Sequence, residues 1–356
     1  MNRWNVLLSG QIKMNLEFYY CFCSFRTLIP RQTMNFRTVI TLIATISLSN
    51  FNQASAQSSQ WEPEMIAVTY LDQEHVIMGT DAIEEKNWHN LQQPKFWQQI
   101  MLLSPDSCLL NVASTRQIVG RVSNRDWSKK TETQKSLFRD SVRKANLLPE
   151  GERINVTTGK NDFYRFDAVF ESLPKGVAVF EANGVDPWYA QSILLIESPG
   201  KLAKSSAGAY GPFQLMPSVA RSYGLTVNST TDERKDFTKS ATAAATMMKK
   251  SCIPSARIIA GQAGLTIDED AIWFRLLTMH VYHAGAGNVK AVVQACGKVA
   301  TGEELIQKMW VTTAASFGNS SQNYSQLALA AHLQLAAIVK EKATCVFECK
   351  DDLNAQ

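Results

Sequence analysis

Asp186-Pro187-Trp188-Tyr189-Ala190-Gln191-Ser192-Ile193-Leu194-Leu195-Ile196-Glu197-Ser198-Pro199-Gly200 is the stretch that decides the fold. Asp186 is an N-cap residue, Pro187 suits the first helical position, and Gly200 can close the segment. The residues between are apolar almost all round toward the C-terminal end, which predicts a buried helix. Glu197 ends that helix. A carboxylate there opposes the helix macrodipole by roughly 0.3–1 kcal/mol, and apolar surroundings also disfavour its charged form, so both effects raise its pKa. Two readings follow: a solvated glutamate at a frayed helix end, or an acid held protonated near neutral pH, as proton donation to a glycosidic oxygen requires.

Working outward, Ser205-Ser206-Ala207-Gly208-Ala209-Tyr210-Gly211 is a turn of small residues suited to close backbone approach by a ligand. Phe213 to Met216 reads as a short extended stretch with Gln214 and Met216 on one face. Pro217 opens a helix that stops at Gly224. Further helices are expected over about 232–251, from near Asp268 to Gly285, and over about 321–340. The expected fold is mainly α, a lysozyme-like helical domain with a small β-hairpin near residues 205–216, preceded by a mostly helical N-terminal region. In that region Phe96 to Ser104 and Ser136 to Leu148 read as helices, and one short strand is expected after Gly151.

The block around Glu197 resembles the lytic transglycosylase domain of the soluble, Slt-type class. That family's pattern is Glu-Ser, then S-x-x-G-A-x-G, then two residues and Gln, with Met-Pro closing the block. Here it stands as Glu197-Ser198, Ser205 to Gly211, Gln214 and Met216-Pro217. DFTKSATAAATMMKK (Asp236 to Lys250) is similar to the family's Ala-rich helix, VYHAGAGNV (Val281 to Val289) to its A-Y-N-A-G-x-G-x-V motif, and Tyr324 stands where the family places a tyrosine near its glutamate. The resemblance spans about residues 175–340. It departs from the pattern in three ways. The interval from Glu197 to the motif serine is one residue short, the usual Asn-Pro before that serine is missing, and His283 replaces asparagine. Either Ser205 or Ser206 fills the serine position, and spacing to Gly208 favours Ser205.

The resemblance implies cleavage of the β-1,4 bond between N-acetylmuramic acid and N-acetylglucosamine in peptidoglycan, by a carbon–oxygen lyase that leaves a 1,6-anhydromuramyl end. It implies Glu197 as the catalytic acid/base and Ser205, Gln214, Met216, Tyr282, His283 and Tyr324 as substrate-binding residues, with no cofactor and no metal. In that scheme His283 hydrogen-bonds glycan or satisfies a turn carbonyl. The alternatives are a hydrolytic lysozyme of the goose type and a non-catalytic peptidoglycan-binding scaffold. The acids at 232, 236, 268, 269 and 270 read as helix N-terminal residues rather than as a second catalytic carboxylate.

Met34 to Ala56 reads as a signal peptide, with Arg37, the apolar run Val39 to Leu48 and cleavage after Ala54-Ser55-Ala56. Its apolar run is too short to span a bilayer core of roughly 30 Å. Met34 is the expected start, the stretch before it being otherwise an extended n-region. The expected organisation is a leader over 1–56, an accessory region over 57–165, a catalytic domain over 166–340 and a tail over 341–356, with a periplasmic or secreted destination. Of 36 Lys/Arg and 32 Asp/Glu, the leader holds five (Arg3, Lys13, Arg26, Arg31, Arg37) and one (Glu17), leaving 31 against 31. A chain with that balance lacks the electrostatic footprint of a nucleic-acid binder. Cys108, Cys252, Cys296, Cys345 and Cys349 remain after processing. They read as small buried residues with at most a disulfide among them, since no ligand spacing for zinc occurs.

Overall fold

A computed structural model describes residues 4–7, 60–70, 73–197 and 204–353. The expected signal segment 34–56, the residues 198–203 and the side chains of Cys345 and Cys349 lie outside the described residues. The chain divides into one unit comprising Met1–Ser9 and Trp61–Gln356, and a second, Gly10–Gln60, of which only Gln60 is described. Among the described residues no helix is long and apolar enough to cross a membrane.

Within the larger unit, β1 (Trp4–Leu7), β2 (Met65–Tyr70) and β3 (Gln73–Met78) form an antiparallel sheet in that order, with Met65 opposite Met78 and Tyr70 opposite Gln73. Helices α1 (Asp81–Glu85) and α2 (Gln92–Leu102) follow. A second antiparallel sheet has β4 (Ser107–Val112) between β5 (Ile118–Ser123) and β6 (Ile154–Thr158). Between β5 and β6 run α3 (Asn124–Ser128) and α4 (Glu132–Ala145). Thr131 and Gln134 close a capping box at the start of α4, satisfying two orphan donors of its first turn. Only β6 of these strands had a sequence signal. β2 to β5 are too short and irregular in polarity for a period-2 pattern to stand out.

The remainder is helical: α5 (Phe166–Val169), α6 (Leu173–Ala182), α7 (Pro187–Glu197), α8 (Pro217–Ser222), α9 (Phe237–Met247), α10 (Ile253–Gln262), α11 (Ile272–Ala284), α12 (Ala286–Ala295), α13 (Gly302–Met309) and α14 (Asn319–Leu353). The helix expected over about 232–251 starts at Phe237, capped by Asp236, whose carboxylate accepts the Lys239 N–H at 2.9 Å. It then passes through a π-helical turn, Met248–Cys252, straight into α10. Pro254 does not break it because it occupies the first turn after that irregularity, where no i−4 bond is forfeited. The hairpin expected near 205–216 reduces to one antiparallel bridge, Tyr210 with Leu215. Gln214 has φ +45° and sits in the turn between them, so Phe213 to Met216 is not one extended stretch.

One hydrophobic core runs through this unit. Trp88, Phe96 and Trp97 from the N-terminal region share it with Trp188, Leu195, Phe274 and Leu329. Helix α7 is buried along its whole length up to Ile196. It is pinned on two sides by polar groups that burial obliges to pair. The Gln191 amide exchanges two hydrogen bonds of 2.9 Å with the backbone of Met78. Ser192 Oγ lies 2.8 Å from Nε2 of His332 on α14, whose ring stacks on Trp188 at 4.7 Å. On a third side Gly176 lets α6 approach closely, because a Cβ there would stand 2.6 Å from Leu194 Cδ1. At its start Asp186 accepts the Trp188 N–H at 2.8 Å and pairs with Arg275 at 2.7 Å. The same guanidinium holds Glu64, just before β2, through two bonds of 2.7 and 2.8 Å. The helix that presents Glu197 is thus fixed by polar groups along its N-terminal half before any substrate arrives.

Candidate active site

Glu197 is the last residue of α7, and its side chain is largely enclosed. Burial raises its pKa to about 7, and the Tyr324 hydroxyl pulls in the opposite direction. That hydroxyl is directed at the carboxyl group without the alignment of a well-formed hydrogen bond, and it has no other partner. Tyr164, Tyr282 and Tyr324 all have phenols pushed upward, first by burial and next by the Glu197 charge. Three tyrosines therefore lie within electrostatic reach of one carboxyl group. Burial of the carboxyl group is what favours its protonated form toward neutral pH.

Each tyrosine comes from a different part of the chain. Tyr324 sits in the first turns of α14, and the ring of His283, at the end of α11, stacks on it at 4.2 Å. Burial lowers the pKa of His283, so it is a neutral aromatic surface near pH 7 rather than a charge. Tyr282 donates its hydroxyl to the Phe213 carbonyl at 2.6 Å, tying α11 to the turn that follows Tyr210. Tyr164 follows β6 in a turn where its N–H donates to Lys160 O. Burial also pushes the Cys252 thiol up to about 12, making it an inert buried residue in this neighbourhood.

The small-residue turn 205–211 is built from its own groups. Ser205 Oγ accepts the Ala209 N–H at 2.9 Å, and the backbones of Ser205 and Ala209 pair as well. Ser205 is thus the serine that closes the turn, and no hydrogen bond joins it to Glu197. Gly211 is required twice over: φ is +84°, and a Cβ would lie 1.9 Å from the Arg234 carbonyl oxygen. Arg234, almost fully buried, clamps both ends of this loop. Its guanidinium donates to Gly208 O at 2.8 Å and Leu215 O at 2.9 Å while pairing with Asp232 at 2.7 Å. Gln214 Nε2 donates to Gly211 O at 2.9 Å, and Met216 is 39% exposed at the start of α8.

The structure therefore gathers Glu197, Tyr282, His283 and Tyr324 at one place, and holds Ser205, Gln214 and Met216 on the adjoining loop. Nothing in the sequence singles out Tyr164 or Arg234. Tyr164 lies in a segment without a recognisable motif. Arg234 sits in the run Asp232-Glu233-Arg234-Lys235-Asp236, whose natural reading is a solvated face. Its three neighbours at 233, 235 and 236 do not share its burial.

Residues 179–303 match the family model described as Transglycosylase SLT domain. The matched segment contains Glu197, the loop 205–216, Tyr282 and His283, and leaves Tyr164 and Tyr324 outside it. No curated protein matches the chain.

Proposed function

Because residues 179–303 are a transglycosylase SLT domain, we propose that the chain is a peptidoglycan lytic transglycosylase that cleaves the β-1,4 bond from N-acetylmuramic acid to N-acetylglucosamine and leaves a 1,6-anhydromuramyl end. The observation that carries this reading is the solitary carboxyl group. Glycosidases that work through a water or a glycosyl-enzyme need two carboxylates, about 5–5.5 Å apart or roughly 6.5–9.5 Å apart. Among the described residues the groups whose raised pKa has the charge of Glu197 as a cause are Tyr164, Tyr282 and Tyr324. The six residues that follow it, Ser198 to Ala203, contain no Asp or Glu.

One carboxyl group suffices when the nucleophile belongs to the substrate. Protonated Glu197 gives its proton to the glycosidic oxygen as the C1–O bond breaks. The resulting carboxylate takes the proton from the muramyl 6-hydroxyl as O6 bonds to C1. The proton returns to Glu197, no water is consumed, and the glycan is shortened by an elimination-like exchange of one ether bond for another. A pKa of about 7 suits both halves, since a much lower value would leave no acid and a much higher one no base. Tyr324 stabilises the carboxylate form in the second half. The stacked His283 and Tyr324 rings, with Gln214 and Met216 across the loop, form the wall along which sugar rings pack. The enzyme acts outside the cytoplasm, delivered by the leader expected over Met34 to Ala56.

The test is mass spectrometry of muropeptides released from purified sacculi by the chain and by Glu197→Gln. Anhydro products one water lighter than hydrolytic ones, absent with the variant, are the expected result. Reducing-end products identify a goose-type hydrolase instead, and a folded wild type that binds sacculi without releasing product identifies a scaffold.

A further inference from the structure

A second cavity, of about 780 Å³, opens between β6 and the start of α14. All five residues of β6, Ile154 to Thr158, line it. Successive side chains of a strand point to opposite faces, so five consecutive lining residues mean that the cavity lies against the strand's edge rather than one face. That edge is open, since β6 pairs with β4 alone in the order β5-β4-β6. Gly159 N and Arg153 O both bond toward β4, as does the alternate register between them. The N–H and C=O groups of Ile154, Val156 and Thr158 consequently point outward into the cavity.

The lining is strongly cationic. Arg116, Arg139, Arg153 and Lys160 contribute, and no Asp or Glu does. Arg139 comes from α4, which packs on one face of the sheet through Phe138 and Val142. Arg116 bonds Asn111 Oδ1 at 3.0 Å on the other face, so positive charge flanks the open edge from both sides. The nearby acids Asp140 and Glu152 are engaged by Arg143 and Ser114. Arg116 is the telling residue. It is 4% exposed, touches no carboxylate, rests over Phe96 and Trp97, and leaves its Nε without a partner. Lysines and arginines at an exposed edge often serve only to deter strand-to-strand aggregation. A buried guanidinium without a counter-ion does nothing of that kind, because deterrence requires the charge to be at the surface.

We infer that this cavity is a docking site for an extended acidic segment of a partner protein, which adds to the open edge of β6 and places its carboxylates on the four flanking cations. Backbone pairing supplies the affinity and the charges supply the selectivity, the mode of recognition used wherever a peptide extends a sheet. Five residues of strand offer roughly 16 Å of edge, enough for a segment of about five residues. An occupant also reaches Asn323, which accepts a hydrogen bond from Arg116 and precedes Tyr324 in the chain. The site is therefore one residue removed from the tyrosine that faces Glu197, and it exists whether or not the catalytic reading holds.

The experiment is fluorescence anisotropy of a labelled hexapeptide of alternating Glu and Val on the full chain. Its partners are the Gln–Val counterpart, the same acidic peptide N-methylated at alternate amides, and a muramyl tripeptide as competitor. The wild type binds the acidic peptide, while the Gln–Val and N-methylated peptides bind at least about tenfold more weakly. Arg139→Glu with Arg153→Glu, checked for an unchanged melting temperature, weakens the acidic peptide by a similar factor. No binding by the wild type overturns the inference. Equal binding of the N-methylated peptide reduces it to ionic adsorption, and tighter binding of the muramyl tripeptide makes the occupant the cell-wall peptide rather than a protein.

Discussion

Glu197→Gln separates the electrostatic cost of this buried carboxyl group from its proposed chemistry. Burial raises its pKa from 4.5 to about 7. A group whose folded pKa lies above its unfolded one stabilises the fold fully below the unfolded value and loses that contribution as pH rises through the folded value. The window is therefore pH 4.5 to about 7. At 1.36 kcal/mol per pH unit the penalty on the wild type above that window is about 3 kcal/mol, a ceiling because the carboxyl group keeps some access to water. Glutamine cannot ionise and escapes the penalty. The melting temperature of the variant minus that of the wild type is expected to rise between pH 4.5 and 8 by roughly 6 °C, at about 2 °C per kcal/mol for a unit of this size. Asp186, raised by burial to about 6, and His280 and His332, lowered by burial to about 3, titrate alike in both proteins and cancel in the difference. Calorimetry across that range reads it directly. A difference that stays flat with pH refutes the claim that Glu197 is buried as an acid, and with it the account of proton donation.

Removing the Tyr324 hydroxyl with Tyr324→Phe takes away the group that lowers the Glu197 pKa, so the alkaline limb of the pH–rate profile moves upward in pH. Stability changes by less than about 1 kcal/mol, because the hydroxyl has no well-formed bond to lose. Gly211→Ala forces a Cβ against the Arg234 carbonyl in a backbone conformation that alanine resists. A loss of about 2 kcal/mol or more in urea unfolding is expected, with activity falling further than stability as the 205–215 loop shifts. Arg275→Met leaves the Asp186 and Glu64 carboxylates without their counter-ion and costs about 3–5 kcal/mol, whereas adding Asp186→Asn recovers part of it; a double-mutant cycle measures the coupling.

The helices that surround Glu197 were legible because each carries a local instruction. Asp186-Pro187 starts α7, Pro217 and Gly224 bracket α8, and Asp236 caps α9 through a bond the structure shows at 2.9 Å. What local signals do not reveal is where helices fail to stop. Lys249-Lys250 looks like a cationic C-terminus, yet the chain continues through a π-turn because Met248 and Cys252 are buried and hold the helix in the core. Apart from β6, the strands of the N-terminal region were illegible for a related reason. β4 is buried at five consecutive positions, Cys108 to Val112, so its polarity does not alternate, and Asn111 among them is satisfied by Arg116 from the next turn and by Thr157 from far along the chain.

The site shows the same division more sharply. Of the residues that the family resemblance singles out, those from Glu197 to His283 fall inside the matched segment 179–303 and Tyr324 falls outside it. Two of the three tyrosines that the charge of Glu197 pushes upward fall outside it, one on each side in sequence. The motif thus carries the proposed acid, and a flanking segment carries Tyr324, whose hydroxyl lowers the pKa of Glu197. Tyr164 is carried by the turn after β6 and Tyr324 by the first turns of α14, the same two elements that border the cationic cavity. A displacement of either element alters how much water reaches Glu197. Since burial is the larger cause of its raised pKa, admitting water returns the carboxyl group toward 4.5 and removes the proton that the proposed mechanism requires. The N-terminal region is accordingly part of the acid's environment rather than an appendage, and a segment 179–303 expressed alone is expected to show an alkaline limb displaced to lower pH even where it folds.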